Sequence, residues 1–275
     1  MASVVTNIIN GIGKNVGRVA GNPYKELSIG WFDLRMLKNS PKQDHYKQRF
    51  LNGFITFNSV PEFLYGINEI FVDHIYRFQA KNDRPVILDC GGHIGLSAIY
   101  FKRQHPNALV TVFEPDAGNF EFLKTNLASQ GYGDVVLRNE AIWIENKMLT
   151  FNSEASMSSK IATDNETDGL MVKAVRLKDQ LITEIDLLKL DIEGAEYEVL
   201  KDIKDKLHLL RNIFIEYHGL FAQQGELMQI LQWVSEAGFT FYIKEAHNVY
   251  PQPFSRQQND KSSYDVQLNI FCFRN

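Results

Sequence analysis

The chain reads as an α/β protein with a doubly wound sheet. The sheet is mostly parallel, has one antiparallel strand near its end, and follows an N-terminal helical extension. Three observations predict this. From Pro85 onward, short apolar runs alternate with helical stretches, as in strand–helix units that build a parallel sheet with helices on both faces. The last two strand-like runs, "FTFYIKE" and "YDVQLNIFCFR", have no helix between them, so one must pair antiparallel. Finally, "VILDCGGHIGLSAIY" (Val86 to Tyr100) runs a buried strand into three glycines within five positions and then into a helix.

Residues 1–50 form a basic arm, expected to be helical. Lys14, Arg18, Lys25, Arg35, Lys38, Lys42, Lys47 and Arg49 stand against Glu26, Asp33 and Asp44, a net of +5. The chain as a whole carries −4, which leaves −9 for the remainder. Such an arm suits packing on the main domain or a second subunit, and peripheral contact with an anionic membrane is open to it. Nucleic acid is not expected, because the body is acidic and lacks a basic stripe interleaved with aromatics. No apolar run approaches the ~20 residues of a membrane span, and the N-terminus lacks a signal-peptide pattern, so a cytoplasmic protein is expected. Cys90 and Cys272 sit in apolar strands and read as buried free thiols.

Residues 51–84 hold a short strand, "FITFNS", and a helix starting near Pro61. Phe63, Ile67, Ile70, Phe71, Ile75 and Phe78 give that helix one apolar face. "KNDRP" marks the boundary, and residues 85–275 form the main domain. Its elements run "VILDC" strand, "GLSAIYFKRQ" helix, "ALVTVFEP" strand, "AGNFEFLKTNLASQ" helix and "DVVLRNEAIW" strand. Next comes the polar segment "NSEASMSSKIATDNETDG", a loop over the site or a surface hairpin. "DLLKLD", a helix from "GAEYEVLKDI", "NIFIEYH" and the helix "GELMQILQWVSEAG" lead to the final two strands.

Ligands of such sheets bind beyond the carboxyl ends of the strands. Gly91, Gly92 and Gly95 allow tight backbone conformations and approach without a Cβ, and Leu96 and Ser97 open a helix with free N–H groups. The spacing Gly91-Gly92-His93-Ile94-Gly95 does not match the dinucleotide pattern G-x-G-x-x-G. Asp89, just before the turn, would repel a pyrophosphate but could accept from an ammonium group. S-adenosylmethionine carries an ammonium and no phosphate. Glu114, 25 residues after Asp89 and followed by Pro115, is placed to take both ribose hydroxyls. Glu140 and the backbone of Ala141 could meet an adenine edge.

These stretches, with "LLKLDIEGAEYEVLKDI" and "NIFIEYH", resemble the FkbM family of S-adenosylmethionine-dependent methyltransferases. The resemblance runs from about Phe54 to the C-terminus, and "KLDIEGAE" is its most specific block. It implies a class I methyltransferase (Rossmann-like) fold and O-methylation, often of sugar hydroxyls in glycan or antibiotic pathways. The family usually has Ala-Asn where Gly92-His93 stand. Gly92 should substitute freely, and His93 should make a polar contact as the Asn does, or point into solvent.

Methyl transfer needs in-line geometry and a base for the acceptor proton. Asp191, at a strand end, is the leading candidate for polarising the acceptor or holding the methionine portion. His218 closes the next strand with an intrinsic pKa suited to base catalysis. Glu193 is a further catalytic candidate, although it and Glu196 also suit a helix N-terminus. Strand alternation puts Leu188 and Leu190 on one face and Lys189 and Asp191 on the other, with Lys189 paired to a carboxylate such as Glu216. Asp191, Glu216 and His218 have no metal-site spacing, so no metal is expected. Tyr65, Glu69, Tyr217 and the late aromatics could touch the acceptor but read more simply as core. The expected activity is O-methylation of a hydroxyl, most simply on a saccharide, by a chain that could form a homo-oligomer. The alternatives are an NAD-linked oxidoreductase and a non-catalytic cofactor-binding scaffold.

Overall fold

The computed structural model describes residues 22–152, 160–161, 170–256 and 263–274. The first 21 residues of the basic arm therefore lie outside the described residues. The rest of the arm is not wholly helical. A helix at Trp31–Lys38 is followed by strand β1 (Tyr46–Phe50), which forms an antiparallel hairpin with β2 (Gly53–Phe57). β2 is held on the helix Ala117–Ser129 by Asn126, whose side chain accepts from Thr56 N and donates to Thr56 O.

The expected helix over "VPEFLYGINEIFVDHIYRFQ" is shorter than its apolar spacing suggests. It begins at Val60 with Ser59 as N-cap, widens into a π-turn over Asn68–Val72 and stops. Asn68 donates its side-chain amide to Asp73, and His74 takes a left-handed φ of 53°, which an α-helix does not propagate. Ile75 and Phe78 still pack against the core, from irregular backbone.

The main sheet contains β3 (Val86–Cys90), β4 (Leu109–Phe113) and β5 (Val136–Arg138). "DVVLRNEAIW" is not one strand. The chain turns at Asn139, whose Nδ2 donates to the carbonyls of Glu114 and Pro115, and re-enters a second sheet as β6 (Ala141–Trp143). That second sheet adds β7 (Lys147–Asn152), β8 (Lys160–Ile161) and β9 (Leu170–Arg176) in the order β6-β9-β7-β8. Most of the polar middle segment, residues 153–159 and 162–169, lies outside the described residues; its flanks pair antiparallel as a hairpin.

β10 (Ile185–Leu190), β11 (Leu210–Gly219), β12 (Thr240–Glu245) and β13 (Val266–Phe273) complete the main sheet in the order β12-β13-β11-β10-β3-β4-β5. β13 runs antiparallel to both neighbours and lies second from the edge. From β3 the chain winds outward through β4 and β5; from β10 it winds the other way. The switch point, where ligands of open α/β sheets bind, is therefore between β3 and β10.

The two faces of the sheet carry separate cores. Leu188 and Leu190 join Val199, Ile213, Ile230 and Val234 on one face. Leu187 and Phe214 join Phe50, Phe57, Phe63, Tyr100 and Phe101 on the other, so the N-terminal hairpin and helix share a core with the main domain. Cys90 and Cys272 are buried free thiols. Among the described residues no helix is long and apolar enough to cross a membrane.

Candidate functional site

Two loops leave the carboxyl ends of β3 and β10 side by side. Each contains a non-glycine residue in the left-handed region, His93 (φ 47°) and Glu193 (φ 56°), a conformation that costs about 1–3 kcal/mol and gathers at functional sites. Gly91 (φ 90°) is where the loops touch: a Cβ there would lie 1.9 Å from the Asp191 carbonyl oxygen. A Cβ on Gly92 would meet Val112 at 2.2 Å, and one on Gly95 would meet Leu123 at 2.8 Å. The glycines thus let backbone pack on protein. The expectation that their missing Cβ atoms make room for a ligand is corrected.

Lys189 is buried between the two loops and stands opposite Asp89 in the register. Its Nζ donates to Gly91 O at 2.7 Å and lies 3.3 Å from Asp89 and 3.2 Å from Asp191. Its close carboxylates are therefore these two, and not the expected Glu216. Burial alone would strip the Lys189 proton; Asp191, Asp89, Tyr76 and Glu216 outweigh it and hold the pKa well above the usual lysine range. Asp89 moves differently: burial raises its pKa even though Lys189 and Ser97 oppose the shift. One ammonium divided between two aspartates accounts for both directions.

Several expected ligand contacts are corrected by burial. Asp89 is 0% exposed, with Oδ2 accepting from Ser97 Oγ, so it cannot meet an ammonium group directly; it positions the turn through Lys189. Ser97 spends its hydroxyl on Asp89, and Ile94 and Leu96 are core side chains. Glu140 is tied to Arg138 at 2.6 Å and Lys173 at 2.6 Å, and Ala141 is packed in the second sheet, so the Glu140 carboxylate is not free for an adenine edge.

Glu114 is where the sequence reading placed it, just past β4. Its Oε2 accepts from His93 N at 2.6 Å and its Oε1 from Asp116 N at 2.9 Å. Burial pushes its pKa up to about 7 against these two hydrogen bonds. Pro115 follows, half-buried. The His93 side chain is 39% exposed, with Nε2 4.0 Å from Glu62, and burial of its remaining atoms lowers its pKa.

Past β10 and β11 a second cluster assembles. Glu196 is sealed: it accepts from Ile192 N and Gly194 N and faces His218 Nδ1 at 3.3 Å. The helix-terminal reading of Glu196 is thus met, with an imidazole contact added. His218 Nε2 faces Glu193 at 3.7 Å and Glu216 at 3.8 Å. Burial acts to lower the His218 pKa, but the hydrogen bond to Glu196 and the charges of Glu196, Glu193 and Glu216 raise it to about 10. These charges favour the protonated imidazole and so oppose its expected role as a free base. The same crowding and burial raise Glu193 and Glu216.

Sequence reasoning gave Asn269 no role and counted Tyr264 only among the late aromatics. Tyr264, read as part of the last strand, precedes it; its hydroxyl donates to Glu193 O at 2.5 Å and its ring lies 5.0 Å from His218. Asn269, buried and opposite Glu216 in the register, donates towards Glu69 at 3.5 Å. The available signal was polarity inside apolar strands: Glu216 in "NIFIEYH" and Asn269 in "QLNIF". Tyr65 is exposed, not core as expected, and donates to Ala246 O, while Tyr217 is core as expected.

The sheet with its one reversed strand, and a site at the switch point lined by carboxylates, define a class I methyltransferase. The family model for the Methyltransferase FkbM domain matches residues 89–241, over half of the 275-residue chain. The chain belongs to the FkbM methyltransferase family. Methyltransferase sdnD of Sordaria araneosa is 31% identical over 216 residues, which cover 65% of this chain and 82% of that protein. The 31-O-demethyl-FK506 methyltransferase FkbM of Streptomyces tacrolimicus is 25% identical over 233 residues, covering 68% and 88%. The crystal structure of methyltransferase FkbM from Methylobacillus flagellatus KT shares the fold, with a TM-score of 0.50 at 14% identity, over 76% of this chain and 48% of that one.

The methyl donor is S-adenosylmethionine, and the residues at the switch point fit it. Asp89, Glu114, Asp116 and Asp191 surround the turn, with Lys189 already committed to two of them. Such a lining accepts hydrogen bonds from hydroxyl and ammonium groups and disfavours a pyrophosphate.

Proposed function

We propose that this methyltransferase acts on a hydroxyl oxygen, on a saccharide or another polyhydroxylated ring, in a cytoplasmic biosynthesis of the glycan or glycosylated-metabolite type. The observation that carries this reading is the carboxylate group Glu69, Asp191, Glu193 and Glu216 beside His218, at the carboxyl ends of β10 and β11. Carboxyl groups accept hydrogen bonds when ionised and also donate when protonated, the form that burial favours for Glu69, Glu193 and Glu216, and hydroxyl groups match both roles. The name of the Streptomyces relative, which specifies an O-methyl position, supports the same reading.

Within the site, Glu114 takes the ribose hydroxyls, with His93 and Pro115 beside it. Asp191, partly exposed, faces the same space from the end of β10, where Asp89 is sealed. Bound there, S-adenosylmethionine supplies an electrophilic methyl carbon and a neutral thioether leaving group, so the chain need supply no acid. The chain's task is to hold the acceptor and remove its proton. Glu193 and Glu216, at 24% and 22% side-chain exposure, are the carboxylates open to an acceptor; the His218 side chain, at 4%, orients them. Tyr264 fixes the Glu193 backbone.

Two measurements test this. S-adenosylhomocysteine at 100 times its dissociation constant should stabilise the protein by about 2.7 kcal/mol, and NAD should not. A mass-spectrometric screen of glycosides against amine and carbon acceptors should then give products methylated on oxygen. Products methylated solely on nitrogen or carbon would overturn the acceptor assignment.

A further inference from the structure

Asp191, Glu193 and His218 each offer one ligand atom, and these atoms lie within 4.8 Å of one another. Donors ~2.1 Å from one ion lie about 3.0–3.4 Å apart in octahedral or tetrahedral geometry, so about 1–2 Å of side-chain movement would bring them around an ion. Asp191 and Glu193 are partly exposed and can supply that movement. His218 is held in the opposite way. Its side chain is 4% exposed, its Nδ1 is engaged by Glu196, and Glu196 is itself fixed by backbone N–H groups. Nε2 is thereby aimed into the acidic cluster, at 3.7 and 3.8 Å from its nearest carboxylates, beyond hydrogen-bond distance of either. A buried imidazole fixed on one nitrogen by a carboxylate, with the other nitrogen facing acidic side chains, is the arrangement of a metal-binding histidine; an ion there takes the place of the Nε2 proton.

We propose that Asp191, Glu193 and His218 bind one divalent cation of the Mn2+ kind, with Glu196 orienting the imidazole. The donor set is one nitrogen and two carboxylates, which suits such an ion better than a soft one or a calcium ion that takes six to eight oxygens. Three protein ligands leave positions open for an acceptor oxygen. The use of the ion rests on the hydroxyl-methylation reading. A divalent ion held there would acidify a bound acceptor hydroxyl; as the oxygen forms its bond to the sulfonium methyl and the methyl–sulfur bond breaks, the hydroxyl proton would leave to solvent. The sequence showed no metal spacing because the donors come from two strand ends that only the parallel β10–β11 pairing brings together.

The test uses the full chain, stripped with a chelator and desalted, and titrated with Mn2+ while free Mn2+ is followed by electron paramagnetic resonance. One Mn2+ should bind per chain. Glu193→Gln and His218→Gln should each weaken binding by at least ~10-fold, and Glu196→Gln, which keeps shape but loosens the imidazole, by about 10–100-fold. S-adenosylhomocysteine affinity, measured by calorimetry on the same samples, reports whether each variant is folded and tests the methyl-transfer reading separately. No Mn2+ binding at ~1 mM free metal, in protein that binds S-adenosylhomocysteine, would overturn the metal site and leave the transferase intact. Wild-type Mn2+ affinity in both Glu193→Gln, whose side chain is partly exposed and tolerant, and His218→Gln would overturn it equally.

Discussion

Replacing Lys189 with methionine isolates what holds the two loops of the site together. Met keeps the apolar stem and removes the ammonium. The consequences at its two aspartates differ. Asp191 is 25% exposed at its side chain and can recruit water. Asp89 is fully buried; its Oδ2 keeps Ser97, but its Oδ1 makes no hydrogen bond and has Lys189 at 3.3 Å as its counter-charge. Gly91 O also loses its 2.7 Å donor. Breaking a buried pair by removing one partner costs about 3–5 kcal/mol. For a chain of this size each kcal/mol moves the melting temperature by about 2–4 °C, so the midpoint should fall by about 10 °C. Because Asp89 carries most of that penalty, Lys189→Met with Asp89→Asn should recover more than half of it. Differential scanning calorimetry of the wild type, both single variants and the double variant measures this. A loss below ~1 kcal/mol in Lys189→Met, or no recovery in the double variant, would refute the reasoning and mean that Asp89 is neutral without the lysine.

Glu114→Ala should weaken S-adenosylhomocysteine binding by at least ~10-fold at neutral pH, since charge-assisted hydrogen bonds are worth about 1.5–3 kcal/mol; isothermal calorimetry checks this. In the wild type that affinity should fall as pH drops below about 7, where Glu114 protonates, and Glu114→Gln should flatten the profile. The same raised pKa makes the folded state without ligand bind a proton more tightly than the unfolded chain. The contribution of Glu114 to stability should therefore decline as pH rises from about 4.5 through about 7, as read by urea titration of wild type against Glu114→Gln. Gly91→Ala places a Cβ 1.9 Å from the Asp191 carbonyl on a left-handed residue, and should cost more than ~3 kcal/mol or abolish folding, visible in soluble yield and melting temperature. Tyr264→Phe frees Glu193 O at a cost of about 0.5–1.5 kcal/mol, and should lower kcat more than it lowers the melting temperature; equal loss in both would make its role structural.

Elements whose apolar period matches their geometry were legible from residues alone. "VILDC", "DLLKLD", "NIFIEYH" and the helix over Gln224–Glu236 stand where the pattern placed them, as does the reversed last strand, because a missing connecting helix is local in the sequence. The place of Glu114 just past β4 was legible for the same reason: the end of a strand is a local property. Where two geometries bury the same residues, the pattern misled. Ile75 and Phe78 have helical spacing yet lie on irregular chain beyond a π-turn, and "DVVLRNEAIW" is two apolar runs either side of Arg138-Asn139-Glu140 that serve two sheets.

By itself the sequence determined the α/β class, the strand–turn–helix at Gly91–Gly95 and the acidic character of the site, since period, turn chemistry and charge are written residue by residue. The tertiary structure alone decided which carboxylates do what. Parallel pairing across the switch point sealed Asp89 behind Lys189, left Asp191 partly exposed, and brought Glu196 to one side of His218 and Glu193 and Glu216 to the other. Spacing along a chain does not report burial or the identity of a neighbour across a sheet, and those two quantities set whether a carboxylate binds a ligand, takes a proton or holds its neighbours in place.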